Sequence, residues 1–415
     1  MTLAITNGAI IDGSGADPRT GMTMIIEDER IVAIGRDGQV SVPRGAMLID
    51  AQGGSVLPGL IDTHVHFLIE YMNILRDLQI PPSLRLLEAI PRMKATLDAG
   101  VTTVRDAGGS PAGLKMAVER GIVAGPRMQV AITLLSQTGG HGDGHFPSCV
   151  NVALFGQFAD VPRGIVDGVD EMRKTVREIL RAGADWIKLA TTGGVLSIAD
   201  APTASQLTID EIATAVYEAS AHGKRCMAHA QGSQGIKHAI EAGVASIEHG
   251  MYLTDELIEM MIKKDVYLVP TLVAALDVVD YGRQNPHLLP PVMLNKALGV
   301  VEAHQQSFRR AVAAGVKVAM GTDSGVGRHG GNARELPLMV ANGMTPMQAI
   351  VASTSSAARL LRLDQSLGTL EVGKLADIIV VSGDVLADIN RVADPANVNL
   401  VLKGGQAVKN TEMLN

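Results

Sequence analysis

Two histidines spaced by one residue close the apolar run Pro58-Gly59-Leu60-Ile61-Asp62-Thr63-His64-Val65-His66. In a β-strand, side chains two apart leave the same face. His64 and His66 therefore point the same way, as two imidazoles converging on one cation would. A pair of strand-end histidines hydrogen-bonded to backbone has the same spacing, and His-x-His alone does not separate the two. The other conspicuous polar residues also fall at the ends of strand-like runs: Lys188, His229, His249 and Asp323. One strand-end histidine is usually a satisfied polar residue. Six such side chains at a common rim are hard to explain that way.

The elements that must position them alternate. Apolar strands lie around 58–64, 101–106, 127–132, 185–190, 225–229, 245–249, 266–271 and 317–322. Amphipathic helical patterns run between them, such as Asp170 to Ala182, Thr208 to His222, Gln234 to Ala242 and Thr254 to Lys264. This is the signature of parallel βαβ units. Several helices end in Ala-Gly (Ala99-Gly100, Ala182-Gly183, Ala242-Gly243, Ala314-Gly315), the expected stop ahead of a following strand. Eight such repeats, with no Gly-x-Gly-x-x-Gly after the first strand, predict an α/β fold of the TIM (β/α)8 barrel type. Barrel active sites sit at the C-terminal strand ends, where the six polar residues fall.

The two chain ends differ from the middle. Residues 1–57 read as short strands (Leu3-Ala4-Ile5, Met22 to Ile26, Ile31 to Ile34) separated by Asn7-Gly8, Asp12-Gly13 and Asp37-Gly38. Residues 366–415 carry Ala376 to Val381 and Asn399 to Lys403, with Gly404-Gly405 as a turn. Each end alone is too small to bury a good core. The prediction is one small β-sandwich domain formed by 1–57 and 366–415, flanking a barrel over 58–365.

Composition narrows the function classes. At 415 residues the chain suits a barrel of about 250 residues or more plus a smaller module. A net charge of −7 argues against nucleic acid or anionic membrane as the main partner. Aromatics at 3% make base-stacking platforms improbable. Two cysteines, Cys149 and Cys226, are too few for a disulfide framework and fit a reducing compartment. The start shows no basic stretch leading into a long apolar core, and no apolar run reaches the ~18 residues of a spanning helix. The expectation is a cytoplasmic protein with a small-molecule substrate, no nucleic acid and no membrane, assembled as a homo-oligomer.

The combination of Pro58-to-His66, Ile187-Lys188, His229, Glu248-His249-Gly250 and Gly321-Thr322-Asp323 resembles the amidohydrolase superfamily of metal-dependent hydrolases. The tail Gly368-Thr369-Leu370-Glu371-Val372-Gly373-Lys374-Leu375-Ala376-Asp377 resembles the return of those chains from barrel to sandwich. Within it, the chain is most similar to the imidazolonepropionase-related branch of prolidase-like dipeptidases, carboxypeptidases and ochratoxinase-type amide hydrolases. That resemblance implies two divalent metal ions, with zinc the best match to imidazole and carboxylate. His64, His66 and Asp323 would bind one, His229 and His249 the other, and Lys188, N6-carboxylated by carbon dioxide, would bridge them. A protonated lysine among four histidines and two cations is repelled, so it is expected neutral and able to take up carbon dioxide. A water bridging metals roughly 3.5–4 Å apart would serve as hydroxide, with Asp323 moving its proton to the leaving amine.

Two loops bear on the substrate. Thr138-Gly139-Gly140-His141-Gly142-Asp143-Gly144-His145 opens a long segment before the next helix, and His141 is the candidate to hydrogen-bond the carbonyl oxygen as charge develops, against a plain glycine turn with a surface histidine. Gly327-Arg328-His329-Gly330-Gly331-Asn332 follows the last strand, and Arg328 and His329 either contact substrate or sit in a solvated turn. Arg105-Asp106 reads as a salt bridge supporting the barrel rim. His222, His238, His287 and His304 read as surface or core residues.

The expected activity is hydrolysis of a C–N amide in a dipeptide or N-acyl amino acid. Prolidase-like relatives often carry a tyrosine two residues after the strand-5 histidine to hold the substrate carboxylate. Here that position is Gln231, and a neutral amide binds a carboxylate less tightly than a charged donor does. Carbamates, phenylureas and other xenobiotic amides therefore stay open as substrates, as does a cyclic amide or lactone. A non-catalytic structural barrel would be expected to have lost ligands, and all six are present.

Overall fold

A computed structural model describes residues 1–71, 76, 78–146, 148–152, 158–198 and 200–411. The chain divides into two compact units, one of residues 1–62, 93–104 and 330–415, the other of residues 63–92 and 105–329.

The first unit is built on a mixed sheet contributed by both chain ends. Thr2–Ile10 lies at its centre, antiparallel to Arg19–Glu27, which pairs with Arg30–Arg36. Thr2–Ile10 also runs parallel to Met47–Asp50 and to Ser55–Pro58. From the other end of the chain, Ile378–Val381 pairs with Ser55–Pro58, and Val398–Lys403 and Gln406–Asn410 follow. The edge strand Arg30–Arg36 is tied back to the approach to Ile378–Val381, with Ile31 N–H donating to Lys374 O at 3.0 Å. The sheet thus folds over a shared core of Leu3, Ile5, Met24, Ile31, Ile378 and Leu400, all buried. Neither end could enclose that core alone.

The parallel barrel strands lie mostly in the second unit, the first two beginning among the residues of the first. Leu60–Val65, Val101–Asp106 and Arg127–Val130 form one ladder; Leu134–Leu135, Trp186–Ala190, Arg225–Ala230, Ser246–His249 and Tyr267–Val269 form another. Arg127–Val130 and Leu134–Leu135, separated by residues 131–133 and paired in different ladders, together occupy the third barrel position. An eighth strand around 317–324 closes the ring: Leu268 N–H donates to Lys317 O at 2.9 Å, and Asp323 N–H to His64 O at 2.8 Å. Parallel bridges Leu268–Val318 and Val65–Ser324 continue that closure.

Intervening helices begin and end on local signals. Thr208 and Glu211 form a reciprocal capping box ahead of Ile209–Ala221. Gly243 and Gly315, at φ of +96° and +88°, end Ser233–Ala242 and Pro291–Ala314 in the left-handed conformation that glycine adopts without a Cβ clash. The expected first strand, 58–64, is in fact two. Pro58 ends a strand of the mixed sheet and Leu60 starts a barrel strand, with Gly59 between them. A Cβ on Gly59 would lie 2.2 Å from Thr102 Oγ1, so only glycine allows this approach. Among the described residues no helix is long and apolar enough to cross a membrane.

Candidate active site

All the side chains of the site belong to the second unit. His64 and His66 leave the first barrel strand on one face, with ring centroids 5.3 Å apart. Lys188 and His229 project from the fourth and fifth strands, which pair in register. His249 needs a different explanation. His229 lies opposite Glu248 in the parallel ladder, so Glu248 shares the inward face of His229, and period-2 alternation would turn His249 outward. A φ of +74° at His249 breaks the alternation and brings its ring 4.7 Å from that of His229 and 5.2 Å from that of His64. Asp323 likewise has φ +58°. Left-handed non-glycine backbone costs on the order of 1–3 kcal/mol and persists where surrounding structure imposes it.

Each imidazole has one nitrogen tied to the protein. His64 Nδ1 lies 2.7 Å from Glu248 Oε2, and His66 Nδ1 lies 2.9 Å from Gly108 O. His249 Nδ1 lies 2.7 Å from Thr271 Oγ1, and His229 Nε2 lies 3.1 Å from Gly193 O. These acceptors favour the tautomers that place N–H outward and leave the other nitrogen as a lone-pair donor. Asp323 Oδ1 sits 3.4 Å from His64 Nε2 and 3.2 Å from His66 Nε2. Ligand atoms of His64, His249 and Asp323 all lie within 4.8 Å of one another. Lys188 Nζ is 3.1 Å from His64 Nε2.

The electrostatics fit ligation. Burial pushes the pKa of His64, His229 and His249 well below the ordinary histidine value, with Lys188 adding to the effect, so they stay neutral. Burial also pushes Lys188 down to about 8, the attraction of Glu248 and Asp323 opposing it. Burial alone would raise the Asp323 carboxyl; the nearby His64, His66 and Lys188 outweigh it and hold Asp323 ionised well below the usual range. Neutral imidazoles, an anionic carboxylate and a lysine whose neutral form is accessible are the donor chemistry a divalent cation site requires.

A layer of side chains supports the donors. Arg105 pairs with Glu248 at 2.9 and 3.1 Å, donates to Thr63 O at 2.7 Å and stacks 4.5 Å over Trp186. Arg105 thus braces the barrel interior, while Asp106 accepts from the N–H groups of Phe67 and Gly108 and from Ser110 Oγ. His304, from Pro291–Ala314, donates through Nε2 to His249 O and Pro270 O.

These donors line a cleft together with His141, Gln231 and an apolar wall that includes Ile69, Val195, Leu196, Met251, Val278 and Val326. His141 stacks on His229 at 4.1 Å, and its Nδ1 lies 3.2 Å from Ser197 Oγ. Two residues expected near substrate are elsewhere. His329 is buried, donates through Nε2 to Ile69 O at 2.9 Å and stacks on Phe67; neither it nor the exposed Arg328 lines the cleft.

A profile described as the amidohydrolase family matches residues 55–408. The chain belongs to the amidohydrolase family. Ochratoxinase from Aspergillus niger is 31% identical over 97% of this chain and 85% of its own length. A solved Xaa-Pro dipeptidase with bound methionine in its active site is 35% identical at TM-score 0.89, covering 98% of this chain and 99% of that one. A prolidase complexed with N-methylphosphonate-L-proline is 33% identical at TM-score 0.91, covering 99% of this chain and all of that one. The amidohydrolase family generally uses divalent metals, in keeping with the clustered donors here. Sequence reasoning placed the strand-end residues but missed Glu248 and Thr271 as hydrogen-bond partners of the histidines. The Glu248-His249 dipeptide was a usable signal, because a carboxylate in register with a ligand faces the same interior; Thr271 left none.

Proposed function

We propose that this chain is a binuclear metal-dependent hydrolase cleaving a C–N amide bond. The observation that carries the reading is that four histidines have one nitrogen each engaged by the protein, while the other nitrogens of His64 and His66 face Asp323, His64, His249 and Asp323 gather their ligand atoms within 4.8 Å, and Lys188 stands beside His64. His64, His66 and Asp323 would hold one divalent ion, His229 and His249 a second, and carboxylated Lys188 would be shared. Zinc is the ion whose preferences match imidazole and carboxylate best. Bound ions supply Lewis acidity and acidify a water.

The protein's own groups do the rest. Asp323 accepts a proton from the attacking water and returns it to the amine nitrogen that leaves. His141 lines the cleft, its Nδ1 3.2 Å from Ser197 Oγ, and would hydrogen-bond the carbonyl oxygen through Nε2 when that nitrogen carries a proton as negative charge builds. Similarity to ochratoxinase and a Xaa-Pro dipeptidase supports a dipeptide or N-acyl amino acid as substrate. Gln231 at the cleft favours a second reading, an uncharged amide, carbamate or phenylurea.

Metal analysis together with a turnover screen of dipeptides, N-acyl amino acids, carbamates and phenylureas tests the proposal. About two metal equivalents and cleavage of at least one amide class are expected. Metal-replete protein that binds none and cleaves none would overturn it.

A further inference from the structure

Gln231 lines the cleft outside the donor cluster. Gln231 Oε1 is buried and has no hydrogen-bond partner. Gln231 is 4% exposed, and its backbone N–H donates to Thr192 Oγ1 at 2.9 Å. A buried amide oxygen without a donor is costly, and a ligand that supplies an N–H or O–H removes that cost. An ionised carboxylate is acceptor-only and cannot supply one.

Cationic groups near the cleft are committed elsewhere. Among the described residues that line it, Lys188 is the one Lys or Arg, and it sits within the metal-donor cluster. Lys296 Nζ donates to the carbonyls of Gly194, Ser197 and Asp200, holding the loop that carries Val195 and Leu196. Arg105 is buried against Glu248. The residues outside the described set include no Lys, Arg or His. A substrate carboxylate carried against Ile69, Leu196, Met251, Val278 and Val326 would lose its hydration with no partner to replace it.

We infer that the site selects an uncharged, largely apolar amide over one bearing a free carboxylate, with Gln231 Oε1 accepting a neutral N–H or O–H of the substrate. This rests on the amide-hydrolase reading and adds the charge class of the substrate. Gln231 is the specificity-determining residue.

A matched pair tests it: N-acyl-leucine and the corresponding N-acyl-leucinamide with the same acyl group, given to the metal-loaded enzyme. Both kcat/KM and, independently of turnover, Kd by calorimetry are measured. The leucinamide is expected to be favoured at least about tenfold in each. Gln231→Arg, which adds a cation, is expected to move the ratio at least about tenfold toward the free acid. Gln231→Leu, which removes the acceptor without adding charge, is expected to lower affinity for the leucinamide about tenfold and leave the acid nearly unchanged. Tighter binding of the leucinamide without cleavage of either compound would sustain the charge preference and count against amide hydrolysis. Preferred cleavage of the free acid would do the reverse. Equal affinities, no measurable affinity for the leucinamide, or a ratio indifferent to both substitutions overturns the inference.

Discussion

Glu248 Oε2 lies 2.7 Å from His64 Nδ1, and the same carboxylate takes the Arg105 guanidinium at 2.9 and 3.1 Å. All three side chains are essentially without solvent exposure. The arrangement links His64, on Leu60–Val65, to two other strands, Val101–Asp106 and Ser246–His249. It fixes which His64 nitrogen carries the proton, and it balances a buried arginine that would otherwise stand uncompensated in the barrel interior.

Glu248→Gln keeps the shape but weakens the acceptor and leaves Arg105 without its counter-charge. Metal affinity is expected to fall about 10–100-fold, the usual cost of losing such a supporting group. Thermal stability is expected to drop as well, since breaking a buried ion pair typically costs about 3–5 kcal/mol. Chelator competition reads the first and calorimetric unfolding of metal-free protein the second. Unchanged metal affinity would show that the His64 tautomer does not depend on Glu248.

Lys188→Ala is expected to lower bound metal and remove most activity. Short carboxylic acids added in solution should restore part of it, because they present the oxygen pair that a carboxylated lysine would present. Lys188 Nζ stands 3.1 Å from His64 Nε2, inside the donor cluster, which is the basis for the expectation. Full activity with unchanged metal content in Lys188→Ala would remove the lysine from the site.

The strand-end donors were legible because a period-2 run and an Ala-Gly helix stop are both local signals. Their partners were not. Arg105 and Glu248 are 143 positions apart, and only closure of the barrel brings them together. Gly108 and Gly193 contribute carbonyl oxygens, which every residue has and no side chain reports. His249 was expected at the rim as a simple strand end, yet it reaches the cluster only through a left-handed backbone that alternation does not predict. His329 shows the opposite failure: a histidine after the last strand resembled a substrate contact, but its ring is engaged by Ile69 O and Phe67.

Asp323→Asn tests the proton transfer separately from ligation. Asparagine retains the shape and one oxygen donor but has no basic carboxylate. Four histidines and Lys188 remain, so metal content should be largely kept. Turnover is expected to fall by about 10²–10⁴, the contribution typical of a general acid–base group, with a much smaller change in substrate affinity. Loss of both metals in Asp323→Asn would make its role chiefly ligation. Near-normal turnover with metal bound would make the proton-transfer assignment untenable.

His304 gives a stability prediction with a definite sign. Its ring is buried and donates to His249 O and Pro270 O, and burial pushes its pKa down to about 4. In the unfolded chain a histidine titrates near ~6.5. Above that pH both states are neutral and His304 adds no pH dependence. Between ~6.5 and about 4 the unfolded state binds the proton and the folded state does not, so stability falls as pH falls, by up to about 3 kcal/mol in all. His304→Gln keeps a side-chain N–H donor and does not titrate. Denaturant unfolding of metal-free protein between pH 8 and ~4.5 should therefore show a shallower loss of stability for His304→Gln than for the parent chain, by about one proton near pH ~5. Parallel profiles for the two proteins would mean that His304 carries its proton equally in both states, and the neutral, backbone-bound histidine described here would be wrong.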